Sequence, residues 1–280
     1  MSPRSELEFS AAELESFRAA LYSRTGMSFG HSKRYYVERR LRERLSATGT
    51  VSLGAYLAVL RADPAEAETL INAFTVKETY FYREAHQFRC LSADLLPEIV
   101  SRRGPGDKVR IWSAPCATGE EAYSIALWLL ENWRMVDAYN IEIVGSDIDT
   151  WVLGEARAGL YDARAVARLP DTVLADYFEA RDDGRYQLIT DLLESVAFTP
   201  VNLVDRDSMA ANGRFDVIFC RNALIYFDDA SRRVAAQNLF DCLEPGGFLC
   251  LGHSESMTRM SERFVQRRFT DAVVTQRPLP

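Results

Sequence analysis

The sequence is poor in histidine and has no patterned cysteine. Three histidines (His31, His86, His253) and five cysteines (Cys90, Cys116, Cys220, Cys242, Cys250) are scattered through 280 residues with no CxxC pair. That argues against a zinc site and against a disulfide framework, and fits reduced thiols in a cytosolic protein. No metal is expected. No stretch approaches the roughly 18 apolar residues of a membrane span. The opening MSPRSELEFS is charged and lacks the apolar core of a secretion signal. A cytoplasmic location without direct membrane insertion is expected. Positive charge is also short: 33 Lys and Arg against 40 Asp and Glu leave a net charge of -7. A general nucleic-acid binder, which needs a basic surface for phosphates, is therefore disfavoured. What the chain does have is apolar content, 48% with 11% aromatics, enough to bury a real core.

Its organisation changes along its length. Residues 1–75 read as helices only. Ser10 and Glu13 form a capping box ahead of Leu14, Phe17 and Leu21. Asp63, Pro64 and Glu66 repeat the start signal of a helix. Between them SKRYYVERRLRERL places Val37, Leu41 and Leu45 on one face, with Lys33, Arg40 and Arg44 in a stripe beside it. After the turn-rich SRRGPGDK, strands alternate with helices: VRIWSA, a helix over 121–133, NIEIVGSDID, FDVIFCRNALIYF, a helix over 229–243, EPGGFLCLG, then a closing hairpin from FVQRRFT and AVVTQRP. Such alternation predicts a mainly parallel sheet with helices on both faces, its ligand at the carboxyl ends of the strands. Residues 160–198, with the turn-and-strand DDGRYQLI, fit the alternation poorly and are read as an inserted small subdomain of a catalytic domain spanning 76–280.

The first strand-to-helix connection, SAPCATGEE, occupies the place of a phosphate-binding turn but has no GxGxxG. It offers Glu120 and Glu121 instead. At about 4 Å and an effective dielectric near 20, one carboxylate repels one phosphate charge by roughly 4 kcal/mol. NAD and FAD are disfavoured. A cationic, phosphate-free adenosyl ligand such as S-adenosylmethionine suits the turn. The blander reading is that both acids only favour the helix dipole, at about 0.3–1 kcal/mol each. Asp147, at the end of the second strand where an acid accepts ribose hydroxyls, tips the balance toward the cofactor.

FTVKETYFYREAHQF, WSAPCATGEEAYSIA, GSDID, VNL, CRNALIYF and GHSES occur in the order found in the chemotaxis receptor methyltransferases, the CheR family, which the chain resembles from about residue 70 to its end. The resemblance implies a class I, Rossmann-like methyltransferase fold with a small antiparallel β-subdomain, preceded by an all-helical domain. It implies methyl transfer from S-adenosylmethionine to glutamate side chains of methyl-accepting chemoreceptor cytoplasmic domains, with S-adenosylhomocysteine as product. By motif, Lys77, Thr79 and Arg83 fall in the cofactor pocket, Glu120 on the methionine ammonium, Asp147 on the ribose, and Asn202 and Leu203 at the adenine end. Arg221 and Asn222 complete the wall, and Arg83 and Tyr226 lie nearest the methyl group. Many family members have Asn where this chain has Lys77, and an ammonium cannot accept the hydrogen bond an amide oxygen accepts.

A glutamate acceptor is already ionised at pH 7 and needs no general base, which matches the lack of any His–Asp or Cys–His arrangement. Alignment remains, worth about 7–11 kcal/mol when good. The stripe of Lys33, Arg40 and Arg44 is read as a docking surface for an acidic receptor helix, and the protein as a monomer. Two other readings are a methyltransferase for another carboxylate or small molecule, and a catalytically silent adaptor that binds the cofactor.

Overall fold

The computed structural model describes residues 9–280; the first eight residues, most of the charged opening stretch, lie outside the described residues. The chain divides into two compact units, Met1–Val76 with Tyr226–Ser231, and Lys77–Ile225 with Arg232–Pro280.

Among its described residues the first unit holds four α-helices: α1 (Ala11–Thr25), α2 (Arg34–Thr48), α3 (Leu53–Ala62) and α4 (Pro64–Phe74). The capping box is present, with the Ser10 hydroxyl accepting from Glu13 N–H and the Glu13 carboxylate accepting from Ser10 N–H. Leu14, Phe17 and Leu21 of α1, Val37, Leu41 and Leu45 of α2, Tyr56 and Leu60 of α3, and Leu70 and Phe74 of α4 are all buried. Asp63 caps α4 by accepting from Ala65 N–H, with Pro64 in the first turn. Glu66 does not complete a second capping box. It is buried and accepts from Arg44 and, at 2.7 Å, from the Tyr56 hydroxyl. The segment Tyr226–Ser231 belongs to this unit: Tyr22 donates to Asp228 at 3.1 Å, and Met27 pairs with Phe227.

The second unit opens with α5 (Ala85–Cys90), which continues through a π-type turn into α6 (Leu96–Val100). Ten strands follow in the chain: β1 (Lys108–Ser113), β2 (Asn140–Asp147), β3 (Leu160–Tyr161), β4 (Phe178–Ala180), β5 (Tyr186–Leu188), β6 (Val196–Pro200), β7 (Phe215–Cys220), β8 (Leu243–Leu251), β9 (Val265–Arg268) and β10 (Val273–Gln276). Seven form one sheet in the order β6-β2-β1-β7-β8-β10-β9, parallel except for β10, which runs antiparallel to both β8 and β9. The parallel strands β1 and β7 are buried almost throughout, as strands covered on both faces must be. Helices α7 (Glu120–Asn132) and α8 (Thr150–Ala158) follow β1 and β2. β3, β5 and β4 form a separate antiparallel sheet, with the DDGR turn between β4 and β5.

Two sequence expectations are corrected. The poorly fitting stretch does not run to 198, because β6 belongs to the main sheet, pairing with β2 from Ile143↔Val196 to Asp147↔Pro200. As an edge strand it is only partly buried and lacks a strong apolar run. The strand read in FDVIFCRNALIYF ends at Cys220, where Arg221 and Asn222 turn away and Leu224–Tyr226 form a 3-10 turn.

Candidate active site

The carboxyl ends of β1, β2 and β7 carry the turns that build the site. After β1, residues 114–119 pass through Ala117 at φ 48° and Gly119 at φ 92° before α7 begins at Glu120. A side chain on Gly119 would stand 2.9 Å from the Ala156 Cβ, so the turn needs glycine for both its backbone angle and its space.

Glu120 is 4% exposed, and its carboxylate accepts from the Thr118 hydroxyl at 2.6 Å. Among the described residues no cation pairs with it. Burial pushes its carboxyl up to about 7, opposed by the Thr118 hydrogen bond. Its side chain lines a cavity of about 230 Å³ together with Lys77, Thr79, Thr118 and Tyr161. A buried carboxylate left without a counter-charge at a cavity wall suits a ligand that brings its own cation. The residues therefore fit an ammonium-bearing cofactor.

Asp147, at the end of β2, is 7% exposed and accepts from the N–H of Ala117 and of Asp149, both at 2.9 Å. Burial raises it to about 6, against those two backbone donors. Two N–H bonds leave lone pairs on both oxygens for hydroxyl donors. Asp149, two residues on, is wholly buried, caps α8 by accepting from Trp151 and Val152 N–H, and holds the Lys77 ammonium at 3.1 Å. Lys77 thus reaches the cavity wall already paired.

Glu121 faces away from Glu120. It accepts from Ser113 at 2.7 Å and from Arg221 at 2.8 Å. Burial raises its pKa, with Arg221 opposing. Arg221 is 6% exposed and also bonds Glu84 at 3.2 Å and the Arg83 carbonyl at 2.7 Å. Its guanidinium is committed inside the protein and ties the turn after β7 to α7 and to the YRE segment. Asn222, at φ 58°, donates its N–H to Glu255 at 2.8 Å.

Arg83 donates to the Glu78 carbonyl at 2.7 Å and lies 5.6 Å from the Tyr80 ring centre. It is flanked by Tyr82 and Glu84, both at φ 58°. With Ala117 and Asn222 these are all four non-glycine residues of positive φ among the described residues, and every one sits in a turn of this site. Each costs about 1–3 kcal/mol, which surrounding structure must offset. Here the restraint is visible: Ser124 accepts from Tyr82 N–H at 3.0 Å, Asp147 from Ala117, Glu255 from Asn222, and Arg221 and His253 grip Glu84.

Of the remaining expected residues, Asn202 follows β6, accepts from Val204 N–H at 3.2 Å and sits beside buried Leu203. Tyr226 falls in the segment grouped with the helical unit, its carbonyl accepting from Ser28 N–H at 2.9 Å. Lys33 is exposed in the 3-10 turn before α2, and Arg40 is half-buried and paired with Glu43 at 3.0 Å. Arg44 departs from the docking stripe: only 20% of its side chain is exposed and it forks onto buried Glu66.

Sequence reasoning missed three supports. Glu255 accepts from the N–H groups of Asn222, Leu224 and Gly252 at 2.8–2.9 Å. Glu84 joins Arg221, His253 and Gln87. Tyr161 donates to the Thr118 carbonyl at 3.0 Å. The first two are acids inside GHSES and YRE and were findable as such; Tyr161 carries no sequence signal.

An α/β sheet of this strand order with a lone antiparallel strand, an anionic first turn and an acid closing the second strand define a class I, S-adenosylmethionine-dependent methyltransferase. Residues 77–273 match the model of the CheR methyltransferase SAM binding domain, and residues 12–75 that of the CheR methyltransferase all-alpha domain. The chain is 48% identical over 264 residues to Chemotaxis protein methyltransferase 2 of Vibrio cholerae, covering 94% of this chain and 91% of the relative. It is 37% identical to the Chemotaxis protein methyltransferase of Klebsiella aerogenes, covering 93% and 89%. It is 36% identical to Chemotaxis protein methyltransferase 2 of Pseudomonas aeruginosa, covering 91% and 90%. The chain belongs to the CheR methyltransferase family.

Proposed function

We propose that this chain methylates glutamate side chains of chemoreceptors, forming glutamyl methyl esters, and that it works as a monomer in the cytoplasm. The observation that carries the reading is Glu120, a buried carboxylate with no cation of its own at a cavity wall, with Asp147 at the end of the neighbouring strand. When bound, S-adenosylmethionine supplies an electrophilic methyl group on a sulfonium and leaves as S-adenosylhomocysteine. Glu120 holds its ammonium and Asp147 its ribose hydroxyls. Thr79 and Lys77 contribute to the wall, and Asn202, Leu203 and Asn222 enclose the adenosyl portion.

Arg83 presents a planar fork suited to a carboxylate and orients the acceptor. No proton has to move, since the acceptor is ionised at neutral pH. In the helical unit, Lys33 and Arg40 supply the cationic contacts for the receptor; Arg44 does not. The domains run 1–75 and 76–280.

The test is transfer of labelled methyl groups to a soluble chemoreceptor cytoplasmic fragment, with release of label by base as the mark of an ester. Glu120→Gln is expected to abolish most transfer while weakening S-adenosylhomocysteine binding in calorimetry. Base-stable label, or unchanged binding, counts against the assignment.

A further inference from the structure

Tyr161, in β3 of the small antiparallel sheet, is buried, and its hydroxyl donates to the Thr118 carbonyl at 3.0 Å. The peptide between Thr118 and Gly119 is thereby held at both of its polar atoms, since Gly119 N–H donates to the Cys116 carbonyl at 3.0 Å. A planar peptide pinned at its oxygen and its nitrogen resists rotation. That restrains the positive φ of Gly119 and the direction in which Thr118 presents its side chain. The Thr118 hydroxyl in turn donates to the Glu120 carboxylate at 2.6 Å. A connected path thus runs from the small sheet through one residue of the turn to the carboxylate.

Tyr161 is itself firmly placed. Phe81 meets its ring edge-on at 4.8 Å and meets Phe178 of β4 at 5.3 Å, and Tyr161 pairs with Tyr186 of β5. Phenylalanine would fill the same space; what tyrosine adds is the hydrogen bond to the turn. The charged groups that line the cavity with Glu120 are Lys77, held by Asp149, Arg164, paired with Glu78 at 3.3 Å, Glu155, and Asp162, which accepts from Ala165 N–H at 2.8 Å. Tyr161 and Cys116 stand near Glu120 with their own pKa values pushed up by burial, and stay neutral. Neither cation is spent on Glu120, so among the described residues Thr118 is the side chain that donates to it.

We propose that Tyr161 is a positioning residue for cofactor binding: its hydroxyl sets the Thr118–Gly119 peptide, and through Thr118 it aims the Glu120 carboxylate at the cofactor ammonium. The small sheet is then a working part of the cofactor site. The inference rests on the reading of Glu120 as the partner of that ammonium.

S-adenosylhomocysteine binding to the full chain, measured by calorimetry between about pH 6 and 9, tests it. Tyr161→Phe keeps the ring packing and is expected to weaken binding about three- to tenfold at pH 7, the scale of one hydrogen bond. The Thr118 hydrogen bond holds the Glu120 carboxyl down against burial. Loosening it should therefore move the acidic limb of the binding profile to higher pH. Thr118→Val should do the same, and adding Tyr161→Phe to it should change little, because residues acting through one another are not additive. Unchanged affinity and profile in Tyr161→Phe, whatever its urea midpoint, overturns the proposal. Full additivity with Thr118→Val overturns it too, as does failure of Tyr161→Phe to fold, which would mark a hydroxyl needed for structure alone. In each of these cases a loss of binding in Glu120→Gln leaves the ammonium reading standing. Wild-type binding in Glu120→Gln removes that reading, and Tyr161's role with it.

Discussion

The Lys77 ammonium stands 3.1 Å from Asp149 Oδ2, and 4.0 Å above the centre of the Trp151 ring. Asp149 has no exposed side-chain surface, whereas a third of Lys77 is open. The pair lies beside the cofactor turn: Asp149 also caps α8 and gives its N–H to Asp147.

Lys77→Ala is therefore expected to destabilise the fold by about 1–2 kcal/mol. That is less than the 3–5 kcal/mol of a fully buried pair, because Asp149 keeps its N–H donors and Lys77 is partly solvated. Urea unfolding measures it, and the altered environment of Trp151 should change indole emission. Unchanged stability and emission would mean the pair does not form in solution.

Cofactor binding should depend on pH. The free site holds Glu120 near 7 and Asp147 near 6, both raised chiefly by burial. An ammonium ligand favours ionised Glu120, so binding at pH 6 releases a proton. Affinity for S-adenosylhomocysteine should fall up to about tenfold per unit below pH 7, and more steeply below 6 as Asp147 protonates. For folding the sign is opposite: a raised carboxyl pKa makes the unliganded protein lose stability as pH rises from the unfolded value toward 7. Calorimetry in buffers of differing ionisation enthalpy reads the proton release, and Glu120→Gln should remove the part between pH 6 and 7.

Asp147→Ala and Glu120→Ala should each weaken binding by about 1.5–3 kcal/mol, the range for hydrogen bonds to charged groups. Wild-type affinity in either variant by calorimetry would displace that residue from the site.

Arg221→Ala strands Glu84 and Glu121 in the interior and should cost about 3–5 kcal/mol of stability. Arg221→Lys keeps the charge but cannot fork across both acids and the Arg83 carbonyl. Its signature should be a folded protein with a lowered kcat and nearly unchanged cofactor affinity. A large loss of affinity instead would place Arg221 against the cofactor.

Much of this was legible in the sequence where one residue meets one local rule. The Ser10–Glu13 cap, the strand VRIWSA and Asp147 at the end of the second strand each follow from patterning within a few positions. Failures came where a residue answers to a distant partner. Glu66 sits at a capping position but turns inward because Arg44, 22 residues away, and Tyr56 share its burial. β6 escaped notice because an edge strand is free to be half polar. Nor does spacing announce that Glu255 gathers three N–H groups from two turns, since that depends on parallel neighbours β7 and β8 ending side by side.

All five cysteines are buried with their thiols pushed up by burial, Cys116 inside the cofactor turn included. Thiol-directed probes therefore find no native target on the folded surface. A single cysteine engineered at an exposed position becomes a clean attachment point for a dye or spin label, and reaction of the native thiols serves as a clock for unfolding.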